Sequence, residues 1–180
     1  MIRAFVAIPL PESVRSRLSV TQFLLPIARP VAPENFHLTL AFLGDQYEDR
    51  LEDLHHALER LRAPPFALEI GALGVFRGDR PRSVHATVRP EPALNHLQAR
   101  IARAIDETGL RRDTRRFTPH VTLGRFGPEE GNAPALAKAM GEIGALSIPP
   151  FEVTEFALMR SLLRPDGAVH DALARYALRG

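Results

Sequence analysis

The sequence predicts an α+β fold built from two similar lobes, and two observations carry this prediction. Residues 37–44 (HLTLAFLG) and residues 120–127 (HVTLGRFG) share histidine, threonine, leucine and glycine at the same four offsets. Around both segments, short apolar runs typical of strands alternate with amphipathic stretches typical of helices. We therefore expect two α+β lobes joined near residue 90, with the two motif strands facing each other across a cleft.

The first lobe begins with an apolar run over residues 2–8, which predicts a buried strand. Pro11 then occupies a position that the first turn of a helix tolerates, and the first motif strand follows that helix. Leucines at helical spacing, with charges between them, predict an amphipathic helix over residues 48–62. The apolar stripe of the first helix consists of Val14, Leu18 and Leu25.

The middle of the chain repeats this order. Two strands are predicted over residues 66–76 and 83–89, separated by a turn at residues 78–81 (Gly-Asp-Arg-Pro). An amphipathic helix then ends near Gly109, and the second motif strand begins around Phe117. The stripe that predicts this helix consists of Leu94, Leu97, Ile101 and Ile105.

The C-terminal part of the chain is less regular. Residues 127–150 are rich in proline and glycine and carry no predicted helix or strand. Residues 151–163 alternate well enough for a strand, residues 164–167 (Arg-Pro-Asp-Gly) give a strong turn signal, and a closing segment runs through Leu178. We therefore expect residues 1–180 to form a single domain of two intertwined lobes, each with one motif.

Composition limits the class of protein. With 180 residues, of which 45% are hydrophobic, the chain is long enough to bury a core, and disorder is not expected. The sequence has no cysteine, which excludes disulfides, thiolate metal sites and thiol catalysis. The apolar start is too short for a signal sequence or a membrane span, and Pro9 and Pro11 end it. We expect a soluble, cytoplasmic, monomeric protein with no membrane partner.

The motifs place two polar side chains on one face of each strand. Residues two apart in a strand point the same way, so His37 stands beside Thr39 and His120 beside Thr122. Chance predicts roughly 0.06 matches to this four-residue pattern, and the chain has three. The third, HATV at residues 85–88, lacks the leucine and the later glycine, so we interpret His85 as a strand residue that lines the cleft and at most contacts substrate.

Two histidines and two threonines in one cleft suit acid–base chemistry on a phosphate. One imidazole can activate water while the other protonates a departing ribose oxygen, and threonine hydroxyls can donate to phosphate oxygens. No carboxylate lies within either motif, so a magnesium site is not indicated. A zinc site of His37, His85 and His120 is conceivable but lacks a known ligand spacing. We expect no metal and no cofactor.

Several other residues have no assigned role at this point. His55 and His56 lie on the predicted helix over residues 48–62, one at the surface and one at its rim, and we interpret His96 and His170 as structural or surface residues. A cluster of arginines precedes the second motif, and both a solvated loop and a contact with an RNA backbone remain open for it. The cluster consists of Arg111, Arg112, Arg115 and Arg116.

At this point the chain resembles the 2H phosphoesterase superfamily and, more closely, bacterial and archaeal RNA 2′,3′-cyclic phosphodiesterases, historically called 2′-5′ RNA ligases. The resemblance runs the length of the chain and rests on residues 3–8 (RAFVAI), 36–44 (FHLTLAFLG) and 117–125 (FTPHVTLGR), with Ser161-Leu162 and Gly167 near the end. It implies a bilobal, pseudo-twofold α+β fold in which two antiparallel sheets with outer helices flank a central cleft. It also implies an active site between the lobes that requires no metal.

The resemblance implies roles that spacing does not supply. His37 is expected to be the general acid that protonates O3′, and His120 the general base for water, which gives a 2′-phosphomonoester. Thr39 and Thr122 are expected to hold the phosphate.

The resemblance further implies that Phe42 and Arg125, each five positions after a motif histidine, contact the terminal nucleoside by stacking. A strand period of two places Arg125 on the face opposite the histidine unless the strand bulges at Gly124. The chain departs from its relatives at His85, where they often carry tryptophan, and at His170, where they often carry tyrosine. Both departures bear on substrate preference.

The sequence leaves alternative functions open. The main prediction is hydrolysis of 2′,3′-cyclic phosphate ends of RNA or of cyclic nucleotides. Joining such an end to a 5′-hydroxyl as a 2′-5′ linkage is the reverse reaction and uses the same groups. A non-catalytic module that binds RNA ends is a different class of protein, although binding alone needs no acid–base pair. A metal-dependent hydrolase is the third alternative.

Overall fold

The computed structural model describes residues 1–77, 79–165 and 167–180. The predicted turns at residues 78–81 and 164–167 each include one residue, Gly78 and Asp166, outside the described part. In chain order, the helices are α1 (Glu12–Phe23), α2 (Glu48–Glu59), α3 (Pro92–Glu107) and α4 (Ala133–Ile143). The strands are β1 (Ile2–Pro9), β2 (Arg29–Pro30), β3 (His37–Gln46), β4 (Phe66–Leu68), β5 (Ile70–Phe76), β6 (Ser83–Val88), β7 (His120–Arg125), β8 (Phe151–Val153), β9 (Glu155–Arg164) and β10 (Gly167–Ala177).

The motif strands β3 and β7 are neighbours at the centre of the main sheet. Its strand order is β10-β9-β1-β3-β7-β6-β5, with β2 also paired to β7, and all the recorded pairings are antiparallel. Strands β3 and β7 are joined at one pair, Leu38 opposite Val121. The predicted α+β class and antiparallel pairing are confirmed. The two predicted sheets are two four-stranded halves, β10-β9-β1-β3 and β2-β7-β6-β5, linked at this pair.

The boundary between the halves does not lie near residue 90, and that prediction is wrong. Strand β9 pairs with β1, with Ala4 opposite Arg160 and Ala7 opposite Ala157, so the C-terminal hairpin completes the half that the N-terminus begins. The middle of the chain supplies the other half. A linear division fails because a strand completes a sheet wherever its pairing partner lies, which sequence order does not fix.

The helices cross between the halves. Helix α1 follows β1 but packs against β7, and helix α3 follows β6 but packs against β3. The apolar residues that alternate with the motif histidines and threonines point into this helix-covered core, where Leu38, Val121 and Leu123 are fully buried. Burial of these apolar side chains holds the motif strands against the helices and leaves the opposite face of the strands for the polar residues. None of the helices within the described ranges is long and apolar enough to cross a membrane.

Helix α4 lies within the segment for which no element was predicted. Asn132 Oδ1 accepts the Ala135 amide at 3.0 Å and caps its N-terminus, and Pro134 stands in the first turn, where no amide donor is needed. Gly144 ends the helix with a φ of +65°. The proline and glycine that suggested a loop therefore mark the two ends of a helix.

Two predicted strands are each divided in the structure. Residues 66–76 form β4 and β5, and residues 151–163 fall in β8 and β9. Strands β4 and β8 pair with each other in a separate two-stranded sheet, whereas β5 and β9 join the main sheet. The chain changes sheets at Glu69 and at Thr154, and apolar alternation continues across both changes, so periodicity alone does not detect them.

Candidate active site

The antiparallel register brings the two motifs together as a pseudo-twofold pair. Leu38 is opposite Val121. In an antiparallel pair, the neighbours of these two residues are then His37 on the side of Thr122 and Thr39 on the side of His120. Within each motif, the histidine and threonine share one face of the strand and are half-buried. The predicted four-residue constellation of His37, Thr39, His120 and Thr122 is therefore assembled on one face of adjacent strands.

A backbone carbonyl fixes the tautomer of each motif histidine. His37 Nδ1 lies 2.6 Å from the carbonyl oxygen of Asn35, and His120 Nδ1 lies 2.7 Å from that of Thr118. A carbonyl oxygen only accepts, so Nδ1 carries the proton in both rings. The neutral ring then presents an unprotonated Nε2 on the side away from the carbonyl. His37 Nε2 is 3.0 Å from Thr39 Oγ1, whose hydroxyl donates to it.

Each motif histidine is packed against a second histidine and a phenylalanine. The ring of His37 lies 4.8 Å from that of Phe5 and 5.2 Å from that of His170. The ring of His120 lies 4.9 Å from that of Phe76 and 5.1 Å from that of His85. These neighbours restrict the rotation of the imidazoles and shield them from water.

Burial makes all four histidines difficult to protonate in the free protein. Desolvation is the main cause that lowers the pKa of His37 to about 4, and positive charge at His170, Arg125 and His120 adds to it. Desolvation likewise lowers the pKa of His85 to about 4. The pKa values of His120 and His170 are also lowered, by desolvation first and also by Arg125, while carbonyl or carboxylate neighbours oppose the shift.

The structure also accounts for the position of Phe42. The register between β1 and β3 slips between Thr39 and Ala41, which places an extra residue, Leu40, in β3. The buried positions of β3 follow the same slip, because Leu40 and Ala41 are both buried in succession. The bulge returns Phe42 to the histidine face, where it pairs with Phe5 across the strands. The Arg3 guanidinium lies 4.9 Å from the centre of the Phe42 ring, a cation–π contact.

The same irregularity occurs in β7. The register between β6 and β7 slips between Thr122 and Gly124, so Leu123 is the extra residue. A bulge is therefore present at Leu123, one residue before the glycine at which the sequence suggested it, and Arg125 lies close enough to act electrostatically on His37 and His120. Glycine is needed there because a Cβ on Gly124 would lie 2.2 Å from Ile27 Cγ2.

His85 lies next to His120, but it offers almost no surface to a ligand. It is opposite Thr122 in the sheet and is 4% exposed. Its ring stacks on Phe76 at 4.2 Å, and its Nε2 lies so close to Gly74 that a Cβ there would be 2.6 Å away. Its Nδ1 is buried without a hydrogen-bond partner in the described residues. Packing behind His120, rather than direct contact with substrate, fits this position.

Sequence reasoning missed several residues that complete the site. His170, expected to be structural or superficial, comes from β10 to touch both Phe5 and His37. Asn35 supplies the carbonyl that holds His37, and its side-chain amide donates to the carbonyl of Ala168 on β10 at 2.6 Å. No sequence signal connects these positions, because strand pairing at the C-terminal end brings β10 to the site. His96 is exposed, as expected.

A group of three residues that could bind a metal lies outside the motif strands. Within the described ranges, His55, His56 and Glu59 bring ligand atoms within 4.8 Å of one another on helix α2. His55 Nδ1 is also 3.0 Å from the hydroxyl of Tyr176. The three histidines considered for zinc, His37, His85 and His120, do not form such a group.

Comparison with known proteins agrees with this geometry. A model of the 2′-5′ RNA ligase superfamily matches residues 12–164. The RNA 2′,3′-cyclic phosphodiesterase of Thermus thermophilus is 34% identical, with 99% of this chain and 91% of the relative covered. The enzyme of the same name from Methanothermobacter thermautotrophicus is 33% identical, with coverage of 98% and 99%.

Solved structures show the same architecture. Escherichia coli LigT complexed with 3′-AMP is 29% identical to this chain, covers 99% of both chains and superposes with a TM-score of 0.84. A protein of Thermus thermophilus is 31% identical, with the same coverage and TM-score. Because the family match spans both motif strands and the likeness extends over nearly the whole chain, this protein belongs to the 2′-5′ RNA ligase superfamily.

Proposed function

We propose that this protein opens 2′,3′-cyclic phosphates at the ends of RNA or on nucleotides and leaves a 2′-phosphomonoester. The observation that carries the proposal is the pair of motif histidines on adjacent strands, each held through Nδ1 by a carbonyl so that Nε2 is the nitrogen left for proton transfer. Membership of the superfamily, and the activity for which the relatives are named, support the same reaction.

In the proposed mechanism, the neutral His120 takes a proton from water through Nε2 as the water oxygen attacks phosphorus. The bond between phosphorus and O3′ breaks, and protonated His37 donates its Nε2 proton to O3′. The Thr39 and Thr122 hydroxyls donate to the non-bridging oxygens, whose negative charge Arg125 also stabilises. The product carries a 2′-phosphate and a 3′-hydroxyl, and the two histidines have exchanged protonation states.

Substrate binding is required to charge His37. Its pKa of about 4 in the free protein leaves it neutral at pH 7. A bound phosphodiester brings a negative charge beside the imidazole, which raises its pKa and favours uptake of the proton that the leaving oxygen needs. The phosphate of the substrate thus favours protonation of the histidine that acts as the general acid.

No step of this mechanism requires a metal or another cofactor. The charges that develop on the phosphate are met by imidazolium, two hydroxyls and a guanidinium, all from one chain. We accordingly propose that a cytoplasmic monomer is the active form. The reverse reaction, 2′-5′ joining of a cyclic end to a 5′-hydroxyl, passes through the same arrangement and is available to the same groups.

The arginine cluster supports a longer RNA as substrate. Arg112 pairs with both oxygens of Asp106 at 2.9 Å, and Arg115 pairs with Asp113. These two charges are therefore neutralised within the protein. Arg111 and Arg116 are exposed and make no ion pair with any residue in the described ranges.

The loop that carries these two arginines borders the site. The Asp113 amide donates to the carbonyl of Phe42 at 3.0 Å, and the same loop continues to Thr118, which holds His120. We propose that Arg111 and Arg116 contact phosphates of the RNA chain on the 5′ side of the cyclic end.

Product analysis tests the proposed reaction. An RNA ending in a 2′,3′-cyclic phosphate is incubated with the protein in excess chelator, and the 2′- and 3′-phosphate products are resolved. We expect the 2′-phosphate alone, at a rate that chelation leaves unchanged. A 3′-phosphate product contradicts the assigned leaving oxygen, dependence on added metal supports a metal-dependent hydrolase, and binding without turnover supports a non-catalytic RNA-end module.

A further inference from the structure

Each motif strand has one bulge at the same offset and with the same effect, and β3 has a second register slip at Leu43. In each motif the extra residue is the leucine three positions after the histidine, Leu40 in β3 and Leu123 in β7. A bulge leaves the extra residue out of the regular ladder of hydrogen bonds. The carbonyl of Leu123 accepts the Val31 amide at 3.0 Å, so a side-chain donor to it adds a second bond that ties the bulge to its surroundings.

A glutamine supplies a donor to the extra leucine in each strand. Gln22 Nε2 donates to the carbonyl of Leu123 at 2.6 Å and to that of Val31 at 2.7 Å. Gln98 Nε2 donates to the carbonyl of Leu40 at 3.3 Å. Gln22 lies on α1 and Gln98 on α3, the two helices that cross from one half of the sheet to the motif strand of the other.

These contacts bear on the residues immediately beyond the bulges. Phe42 and Arg125 each follow the extra leucine by two positions. In a regular strand of the same sequence, with no bulge, the period of two would turn both side chains toward the helix-covered face. A glutamine that holds the leucine carbonyl therefore holds the backbone that aims Phe42 or Arg125 at the ligand.

We infer that Gln22 and Gln98 are a matched pair of positioning residues that fix the nucleoside-binding side chains, Gln22 for Arg125 and Gln98 for Phe42. The inference rests on the proposed function for the identity of the ligand. It assigns the glutamines to recognition of the nucleoside, not to the proton transfers of His37 and His120, which precede the bulges in both strands.

Isosteric substitution tests the donor. Gln22→Glu and Gln98→Glu keep the shape of the side chain but replace the amide with an oxygen that repels the leucine carbonyl. Gln22→Lys retains a donor of similar reach and is the rescue variant. Asn132→Ala, which removes the side-chain cap of α4, controls for general destabilisation.

Binding of two probes separates nucleoside recognition from phosphate recognition. We expect Gln22→Glu and Gln98→Glu to weaken binding of adenosine 3′-monophosphate on the order of 10-fold in calorimetry. Gln98→Glu should leave binding of inorganic phosphate unchanged, and Gln22→Glu should weaken it to a clearly smaller extent than it weakens nucleotide binding, because Arg125 also stabilises the phosphate charge. Gln22→Lys is expected to lie closer to the parent protein, and Asn132→Ala to match it for both probes. Equal loss of both probes, or no loss of the nucleotide, overturns the inference.

Turnover provides an independent arm. With a 2′,3′-cyclic nucleotide, we expect the glutamate variants to raise KM while the pH dependence of kcat stays that of the parent protein. A changed pH profile of kcat assigns the glutamines to the histidines instead and overturns the inference. If the parent protein hydrolyses no cyclic phosphate, the proposed function fails, and the comparison of nucleotide and phosphate binding still decides the role of the glutamines.

Discussion

The His37 motif and the His120 motif have the same sequence pattern and the same carbonyl lock, yet they have different surroundings. His37 is packed against Phe5 and His170 from strands at the two ends of the chain. His120 is packed against Phe76 and His85 from the middle of the chain. A duplicated motif therefore supplies two equivalent imidazoles, and the neighbouring strands make them unequal.

The inequality concerns protonation. Desolvation lowers the pKa of both rings first, and Arg125 and the mutual repulsion of the two rings lower both, whereas the charge of His170 lowers the pKa of His37 in addition. In the free protein, these surroundings make His37 the harder of the two histidines to protonate, and only a protonated histidine can act as the acid. The proposed assignment of the acid to His37 thus depends on the phosphate of the substrate, and this dependence offers ways to test the comparison.

The largest expected effect is loss of either motif histidine. His37→Ala or His120→Ala should lower the rate on the order of 10²–10⁴-fold, because each removes a positioned acid or base. The double variant should be much less than multiplicatively worse, since the pair acts as a unit. Steady-state rates with a cyclic nucleotide check this, with the exposed His96→Ala as the matched control. A control as inactive as the motif variants would contradict the assignment.

A substrate that needs no acid should separate the two roles. The leaving oxygen of a nitrophenyl phosphodiester departs without protonation, so it should substantially rescue His37→Ala and leave His120→Ala inactive. The relative rates of both variants on this diester and on a cyclic nucleotide measure the difference. Rescue of His120→Ala alone would reverse the roles, and equal rescue would refute the division of labour.

The pH dependence of kcat/KM should reveal the buried site. The productive free protein has one protonated and one neutral motif histidine, and its population peaks between their two pKa values. Because both pKa values are lowered from 6.5, kcat/KM should be bell-shaped with a maximum below pH 6.5 and should fall as pH rises further. The maximum of kcat should lie at higher pH, since bound phosphate raises both values. A kcat/KM maximum above pH 7 is incompatible with the burial described.

The arginine loop should matter for long substrates alone. Replacing Arg111 and Arg116 with Ala should lower kcat/KM several-fold for an RNA with a cyclic end at low salt, leave a cyclic mononucleotide unaffected, and converge with the parent protein at high salt. Arg60→Ala with Arg103→Ala removes the same charge from the outer helices and is the control. A loss equal for both substrates would place the arginines at the terminal nucleotide.

The smallest expected change follows from His170. Replacing it with Phe keeps a ring against Phe5 and His37 but removes a titratable neighbour whose charge lowers the pKa of His37. The pKa of His37 should therefore rise, which NMR titration of its ring protons measures, while the rate changes less than about 10-fold. His96→Phe is the control. An unchanged or lower pKa of His37 would show that His170 acts by packing alone.

The sequence by itself determined the α+β class, the three long helices and the two histidine–threonine pairs. These features are local: helical stripes and two-residue alternation follow from backbone geometry, and a repeated motif implies a repeated strand. The requirement for a bulge at Gly124 was also visible, because a period of two left Arg125 on the wrong face without one. Helix α4 was equally local but was missed, since Pro134 and Gly144 were interpreted as breakers of a helix rather than as its ends.

Only the tertiary structure decided how the lobes exchange elements and what surrounds each histidine. Strand β9 pairs with β1, and helices α1 and α3 cover the motif strand of the opposite half. Such contacts join residues distant in the chain, as in the bonds from Gln98 to Leu40 and from Gln22 to Leu123, and no periodicity in the sequence encodes them. The identity of the acid–base pair is thus a local property of the chain, while the unequal protonation of the two rings arises from non-local packing, because desolvation depends on every element that closes over the site.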